Sequence, residues 1–424
     1  METPELTKRF KKLSYKLAIV FPNRYHGGLY SLALLIIYNL VNKLQNWSCD
    51  RVYLDHGNLK NYDLIGFSFQ YELDYYNFTE ILKRNNIPLS KDRKEIIFAG
   101  GPCINTNPNT LSKYIDFFIL GEAEEILTKL LKLYDKDKSK FLKKISKIEG
   151  VYVPGLNKKS YHYNHDLDLL DYPLYQPLPN IMDQSFVFGK SFILEIERGC
   201  PFNCYFCNLP SFYSAVKKRS LENIKEIIDK GTKINQRKKV VIYSPSFTHP
   251  QRKEILNYLL SKGLEFSVPS LKVNLVDEVL LTLIKKGGQK TLTFAPECNE
   301  SLRFKIGKKI KDEEFFKIVE IANKLKFKVI KYYFMIGLPE QTEGDMTEMI
   351  EFINELKYQF NGRTSVSINI LVPKPKSKFE NQGFDKKLIK KQMLYIKKNL
   401  KISYKMSNLS SSYKEWRLSH AQEF

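Results

Sequence analysis

Glu197-Arg-Gly-Cys-Pro-Phe-Asn-Cys-Tyr-Phe-Cys-Asn208 places three cysteines, Cys200, Cys204 and Cys207, within eight residues. Cysteine thiolates hold iron-sulfur clusters, and a four-iron cube normally takes four of them, so a set of three leaves one iron without a protein ligand. An iron with an open position can bind a substrate. The competing use of these thiols is a structural zinc site or a place in the core. Zinc sites usually present paired Cys-x2-Cys or Cys/His elements. No second cysteine pair exists here, and the one close histidine pair, His162 and His165, lies in a different segment.

Outward from the cysteines, short apolar runs alternate with stretches of helical period. Residues 192–196, 240–244, 265–268, 290–294, 329–335 and 365–370 read as strands. Residues 221–230, 252–262, 277–286, 312–325 and 343–357 read as the helices between them. This alternation predicts a partial parallel (β/α)6 barrel over residues 185–380, whose chemistry sits at the carboxyl ends of the strands. The cysteine loop follows the first of these strands and so falls at that mouth.

Upstream, residues 17–21, 64–68, 96–99 and 117–120 read as strands, with helical spacing over 29–44, 75–84 and 122–133. The pattern predicts an α/β, doubly wound, Rossmann-like domain over residues 14–165. Ligands of such sheets sit at the carboxyl ends of the strands, here the loops 22–28, 69–74 and 100–108. A connector with Asp171-Tyr-Pro-Leu-Tyr-Gln-Pro-Leu-Pro179 separates the two domains.

The Cys-x3-Cys-x2-Cys run, with an aromatic residue before its last cysteine, resembles the signature of the radical S-adenosylmethionine (SAM) superfamily. The resemblance implies a [4Fe-4S] cluster on Cys200, Cys204 and Cys207 whose open iron binds the amino and carboxylate groups of SAM. It also implies reductive cleavage of SAM to a 5′-deoxyadenosyl radical, with electrons from a flavodoxin- or ferredoxin-like donor. Phe206 would pack on the adenine, and the backbone at Gly337, in Tyr333-Phe-Met-Ile-Gly-Leu-Pro-Glu340, would pass the same ring. Glu297, at a strand end, would contact the SAM amine or ribose, or stabilise the following helix N-terminus. Arg303 would pair with the SAM carboxylate or lie on a helix surface. Ser244-Pro-Ser-Phe247 stands where the superfamily usually has a Gly-Gly-Glu-like turn, which makes Ser244 and Ser246 candidates for the amine.

Ile65-Gly-Phe-Ser68, Ala99-Gly-Gly-Pro102 and Leu120-Gly-Glu-Ala-Glu124 resemble, in order and spacing, the cobalamin (B12)-binding-like domain in front of many radical SAM barrels. The sequence departs from that pattern at Asp55-His56-Gly57, where cobalt-ligating domains carry Asp-x-His-x-x-Gly. His56 therefore reads as a turn residue, and cobalamin as a cofactor that is not specified. The expected function is radical modification, methylation or a related step, of an RNA or a protein in the first place and of a small molecule in the second. The alternative is a non-catalytic RNA-binding protein with a structural metal or iron-sulfur site. Methylthiolation is disfavoured, because it calls for further cysteines and Cys49 and Cys103 alone cannot build that site.

The chain has 424 residues, 43% hydrophobic and 13% aromatic, a globular composition too long for one core. Three scattered cysteines besides the motif make no disulfide framework, which predicts a reducing, cytoplasmic setting. Met1 to Lys16 is charged and unlike a secretory signal, and the longest apolar run, 28–41, is too short to cross a bilayer. Net charge is +22, and residues 371–424 contribute 13 basic against 4 acidic residues. Such an excess favours RNA or another anionic partner. Residues 381–424 are expected to form a basic helical appendage, with an amphipathic helix over 386–398.

Overall fold

The computed structural model describes residues 15–180, 182–213 and 215–424. The charged N-terminal stretch therefore lies, apart from Tyr15 and Lys16, outside the described residues. The chain folds into two compact units of mixed α/β structure. One comprises residues up to Ile193 with Lys230–Arg237 and Arg417–Phe424; the other comprises Leu194–Asp229 and Lys238–Trp416.

The first unit is built on a six-stranded sheet of β1 (Tyr15–Phe21), β2 (Trp47–Tyr53), β3 (Leu64–Ser68), β4 (Ile96–Gly100), β5 (Phe117–Ile119) and β6 (Val151–Tyr152), in the order β2-β1-β3-β4-β5-β6. All pairs are parallel except β5 with β6. Strand β3 is buried along its whole length, as a central parallel strand covered on both faces should be. Strand β2 was not expected: Asp50 and Arg51 interrupt its apolar run, which an edge position tolerates. The order reverses between β1 and β3, and the loops after them are tied together there. Asn23 donates its amide to Asp74 (2.9 Å), and Asn77 bonds both Asp74 and the Pro22 carbonyl.

Residues Arg417–Phe424 are part of this unit. Leu418 joins its core, Phe424 packs among Tyr75, Tyr76 and Tyr114, and Asn107 and Thr110 donate to carbonyls of Leu418, Ser419 and Ala421. The basic C-terminal region thus ends in an apolar anchor that its charge pattern concealed.

Strand β7 (Ser191–Glu195) runs into the second unit at Leu194, and that unit carries β8 (Glu197–Arg198), β9 (Lys217–Lys218), β10 (Lys239–Tyr243), β11 (Glu265–Ser267), β12 (Thr291–Glu297), β13 (Val329–Ile336), β14 (Arg363–Ile370) and β15 (Tyr404–Met406). The long strands form two hydrogen-bonded sheets, β11-β10-β7 and β12-β13-β14-β15. The chain after β11 enters Pro269, which has no N–H, and Val268 donates to the Gln289 side chain instead of to a strand. Strand β15 extends the second sheet; it is three residues long and lay below the reach of the sequence pattern. Helix Lys386–Asn399 buries Ile389, Gln392 and Ile396 and leaves its lysines outward, the amphipathic arrangement expected for 386–398.

Candidate active site

The cysteine loop begins where β7 ends. Its base is a short antiparallel pair, Glu197 opposite Lys218 and Arg198 opposite Lys217, so residues 199–216 close into a single loop. Arg198 locks the entry by a two-pronged contact with Glu195 (2.8 and 3.0 Å). Gly199 turns the chain at φ +87°, a left-handed backbone that a side chain would strain, and an added Cβ would also press on Tyr213. The far side of the loop is held by Ile306 and Gly307. Tyr205 donates its N–H to the Ile306 carbonyl (3.0 Å), and Gly307 lies so close that a Cβ there would stand 2.7 Å from the Tyr205 ring.

Within this frame Cys200, Cys204 and Cys207 are partly buried free thiols. Burial raises the pKa of Cys204 and of Cys207; the Lys308 and Lys272 ammonium groups pull Cys204 back down. Three thiols on one loop beside two cations form a soft donor set that fits an iron-sulfur cluster. Among the described residues no three His, Cys, Asp or Glu side chains are gathered to hold a single metal ion.

Glu297 ends β12 at φ +73°, a strained backbone for a non-glycine residue, and receives Lys308 Nζ at 2.7 Å with both side chains nearly buried. The pair stands beside Cys204, whose pKa responds to both charges. Cys298 next to it is fully buried, and burial pushes its thiol far up, so it stays protonated in an apolar cluster with Leu302, Met335 and Leu338. Phe206 and Tyr205 pack on that same cluster.

Arg303 is 0% exposed. Its guanidinium donates to the carbonyls of Pro296 (2.8 Å), Cys298 (2.6 Å) and Ile310 (2.9 Å) and to Asp312 (2.7 Å). It is therefore neither on a helix surface nor aimed outward; it fixes the turn that carries Glu297. Gly337 gives its N–H to Gln392 of helix Lys386–Asn399 (2.8 Å), and it lines a second cavity of about 480 Å³ together with Leu338, Pro339 and Ile389. Ser246 shares a hydroxyl contact with Thr248 (3.3 Å).

Ser244 turns the other way. Its hydroxyl donates to Glu197, which also accepts the Thr248 N–H (2.7 Å) and hydroxyl (3.2 Å). Glu197, 1% exposed, thus ties the first residue of the cysteine segment to the turn after β10. Locally Glu197 is one of three ionisable residues, with Glu195 and Arg198, directly before the motif, so nothing in the sequence singles it out.

In the first unit His56 closes a tight turn: Tyr53 donates to its carbonyl (2.8 Å), and its ring lies on Tyr25 at 4.6 Å between centroids. That is the turn residue the sequence implied; of the other histidines, His26 lies beside Phe186, and His162 is bonded through its backbone to Leu120 and Glu122 after β5.

A cavity of about 570 Å³ lies against the cysteine loop, with Cys200, Phe202, Cys207, Tyr213, Lys376 and Lys378 among its walls. A pocket of this size accommodates a small molecule.

Comparison with known proteins agrees with this geometry. The family described as radical SAM proteins, N-terminal, matches residues 55–154, and the radical SAM superfamily matches residues 194–353. An uncharacterized protein of Methanocaldococcus jannaschii is 33% identical over 92% of this chain and 84% of its own length. An uncharacterized methyltransferase of Pyrococcus horikoshii is 26% identical over 64% of this chain and 61% of its own. The structure of the radical SAM methyltransferase TsrM from Kitasatospora setae, with cobalamin and a [4Fe-4S] cluster bound, superposes with a TM-score of 0.62 at 12% identity. That match covers 86% of this chain and 74% of that one, and at such identity it shows the fold. Among the described residues no helix is long and apolar enough to cross a membrane. A three-cysteine loop at a strand end, in a chain matched by these families on either side of its connector, makes the protein an enzyme of the radical SAM superfamily, which works with a [4Fe-4S] cluster and SAM.

Proposed function

We propose that the two sheets of the second unit are arcs of one partial (β/α)6 barrel, and that the loop after β7 holds the cluster through Cys200, Cys204 and Cys207. A cluster held there would supply, once reduced by the donor, the one electron that splits SAM into methionine and a 5′-deoxyadenosyl radical, for modification of an unactivated carbon of the substrate by methylation or a related step. The chain's own residues bind and orient. Glu297, held in place by Lys308 and by the Arg303 clamp, is the acceptor for the SAM amine or ribose, and Phe206 is the wall for the adenine. Ser246 borders the same space on the turn that Glu197 shapes. Arg303 and Gly337 serve as frame: their donors are engaged within the protein. The electron donor is a flavodoxin- or ferredoxin-like protein.

The observation that carries this reading is the placement of a partly buried three-thiol loop against the Glu297–Lys308 pair. Reconstitution with iron and sulfide under anaerobic conditions tests it. The protein is expected to gain the broad absorbance of a [4Fe-4S] cluster and, with a reductant, to release 5′-deoxyadenosine from SAM. Cys204→Ala loses both. An unchanged spectrum in that variant sinks the assignment.

The first unit is the B12-binding-like part of this reading, and its carboxyl edge offers no histidine in a cobalt-ligating pattern. A corrinoid held there has a spectrum that is the same in His56→Ala after incubation with hydroxocobalamin and desalting. A column eluate free of corrinoid bands removes cobalamin from the reading.

A further inference from the structure

We propose that Lys272 sets the reduction potential of the cluster: its ammonium group supplies the uncompensated positive charge that makes the cluster easier to reduce. The inference rests on the radical SAM reading and adds to it how this chain tunes the entry of the electron.

The backbone fixes where Lys272 points. It sits in an extended conformation (φ −91°, ψ 115°) between Leu271 and Val273, which are 6% and 3% exposed. Side chains alternate along extended backbone, so burial of both neighbours turns the lysine the other way. Leu271 donates its N–H to the Thr293 carbonyl on β12 (2.9 Å), and Leu275 donates to the Lys272 carbonyl (2.9 Å). Arg252 closes the turn by donating to the Leu275 carbonyl (3.1 Å).

At the tip of the side chain, Nζ lies over the ring of Phe202, two residues from Cys200 and two from Cys204 in the cysteine loop. A ring attracts a cation through its quadrupole and has no net charge, so this contact holds the ammonium at the loop without neutralising it. Among the described residues no carboxylate pairs with Lys272, and its ammonium donates no hydrogen bond. Lys308 differs, because Glu297 meets it at 2.7 Å. Burial acts most strongly on the Cys204 thiol, and the charged side chains that act on it besides are Lys308, Lys272 and Glu297. Lys308 and Glu297 cancel one another, which leaves the charge of Lys272.

Reduction adds one negative charge to an assembly that three thiolates already make anionic. A fixed cation in a half-buried position stabilises the reduced form more than the oxidised one and so raises the potential. The step moves one electron from the flavodoxin- or ferredoxin-like donor to the cluster; the donor is oxidised by that electron, no bond breaks and no proton moves. The carboxylate of SAM is the rival partner for this ammonium. The ring contact between Cys200 and Cys204 favours the cluster, since it sets the charge against the thiolates themselves.

Redox titration of the anaerobically reconstituted full chain without SAM, followed by the electron paramagnetic resonance of the reduced cluster, tests the proposal. Lys272→Met nearly keeps the length of the side chain and removes its charge. It is expected to lower the equilibrium constant for one-electron reduction about tenfold, a midpoint potential about 59 mV more negative. Lys272→Arg, which keeps the charge, stays within about threefold of the unaltered protein. Affinity for SAM, measured by equilibrium dialysis against the oxidised protein, is expected to be the same in all three.

An unchanged potential in Lys272→Met overturns the proposal, and weaker SAM binding at that unchanged potential gives the ammonium to the SAM carboxylate instead. A potential that falls equally in Lys272→Arg traces to packing of the loop and overturns it as well. Iron and sulfide content and melting temperature are recorded for each variant, and Lys272→Gln replaces Lys272→Met if the latter loses its cluster. If neither neutral variant holds a cluster, the lysine belongs to assembly of the loop and the proposal falls. An unaltered protein that assembles no cluster overturns the reading beneath it.

Discussion

Glu197 shows how one side chain can join two segments far apart in the chain. Its carboxylate gathers Ser244 and Thr248, so the turn after β10 and the start of the cysteine loop share one anchor. Glu197→Ala leaves buried donors unpaired, at a cost of about 1–3 kcal/mol each. The expected result is a KM for SAM raised about tenfold with a smaller change in kcat. Glu197→Gln, which can still accept both bonds, recovers most of the affinity. Equal loss in the two variants would refute the positioning role. The three cysteines were legible at once because their spacing is local. Glu197 was not, because its partners lie some fifty residues away and only the fold brings them together.

Elements carry the next lesson. The loops after β1 and β3 meet through Asp74, which burial raises to a pKa of about 6 despite the bonds from Asn23 and Asn77. An aspartate in the unfolded chain titrates near 3.9, so the folded protein binds the proton more tightly. The native state thus holds more protons than the unfolded one between about pH 4 and pH 6, and stability falls as pH rises through that window. Above it the penalty is fully present. Asp74→Asn, which keeps the shape and removes the charge, is expected to raise the melting temperature at pH 7.5 and to leave it nearly unchanged at pH 4. An equal shift at both pH values would show that the carboxyl is not held protonated. The parallel strands themselves were readable from runs such as 64–68, apolar because it is covered on both faces, and 329–335, whose aromatic and β-branched residues outweigh Lys331. The edge strand β2 and the short β15 were not, since neither makes a continuous apolar run.

At the scale of the whole molecule, the net charge of +22 is a property of the surface that does not by itself locate a site. Helix Lys386–Asn399 spreads its lysines over solvent, with Lys391 in an exposed pair with Glu343 and Lys386 over the Tyr413 ring. Neutralising Lys386, Lys387, Lys390 and Lys391 together is expected to lower the salt needed for elution from heparin, while release of 5′-deoxyadenosine from SAM stays as in the unaltered protein. A parallel loss of both would place the helix in the substrate site. Sequence alone determined the three-cysteine motif, the alternation of strands and helices and the superfamily, since each depends on residues close together in the chain. Tertiary structure decided what that order could not encode. It made Arg303 an internal clamp and not a ligand to solvent, it gave Ser244 to Glu197, it put Lys376 and Lys378 beside Cys200 and Cys207, and it turned the end of a basic tail into a core anchor. The partners of Arg303 lie within nine residues of it and those of the other groups are distant in sequence, and burial with hydrogen bonding selects either kind only once the chain is packed.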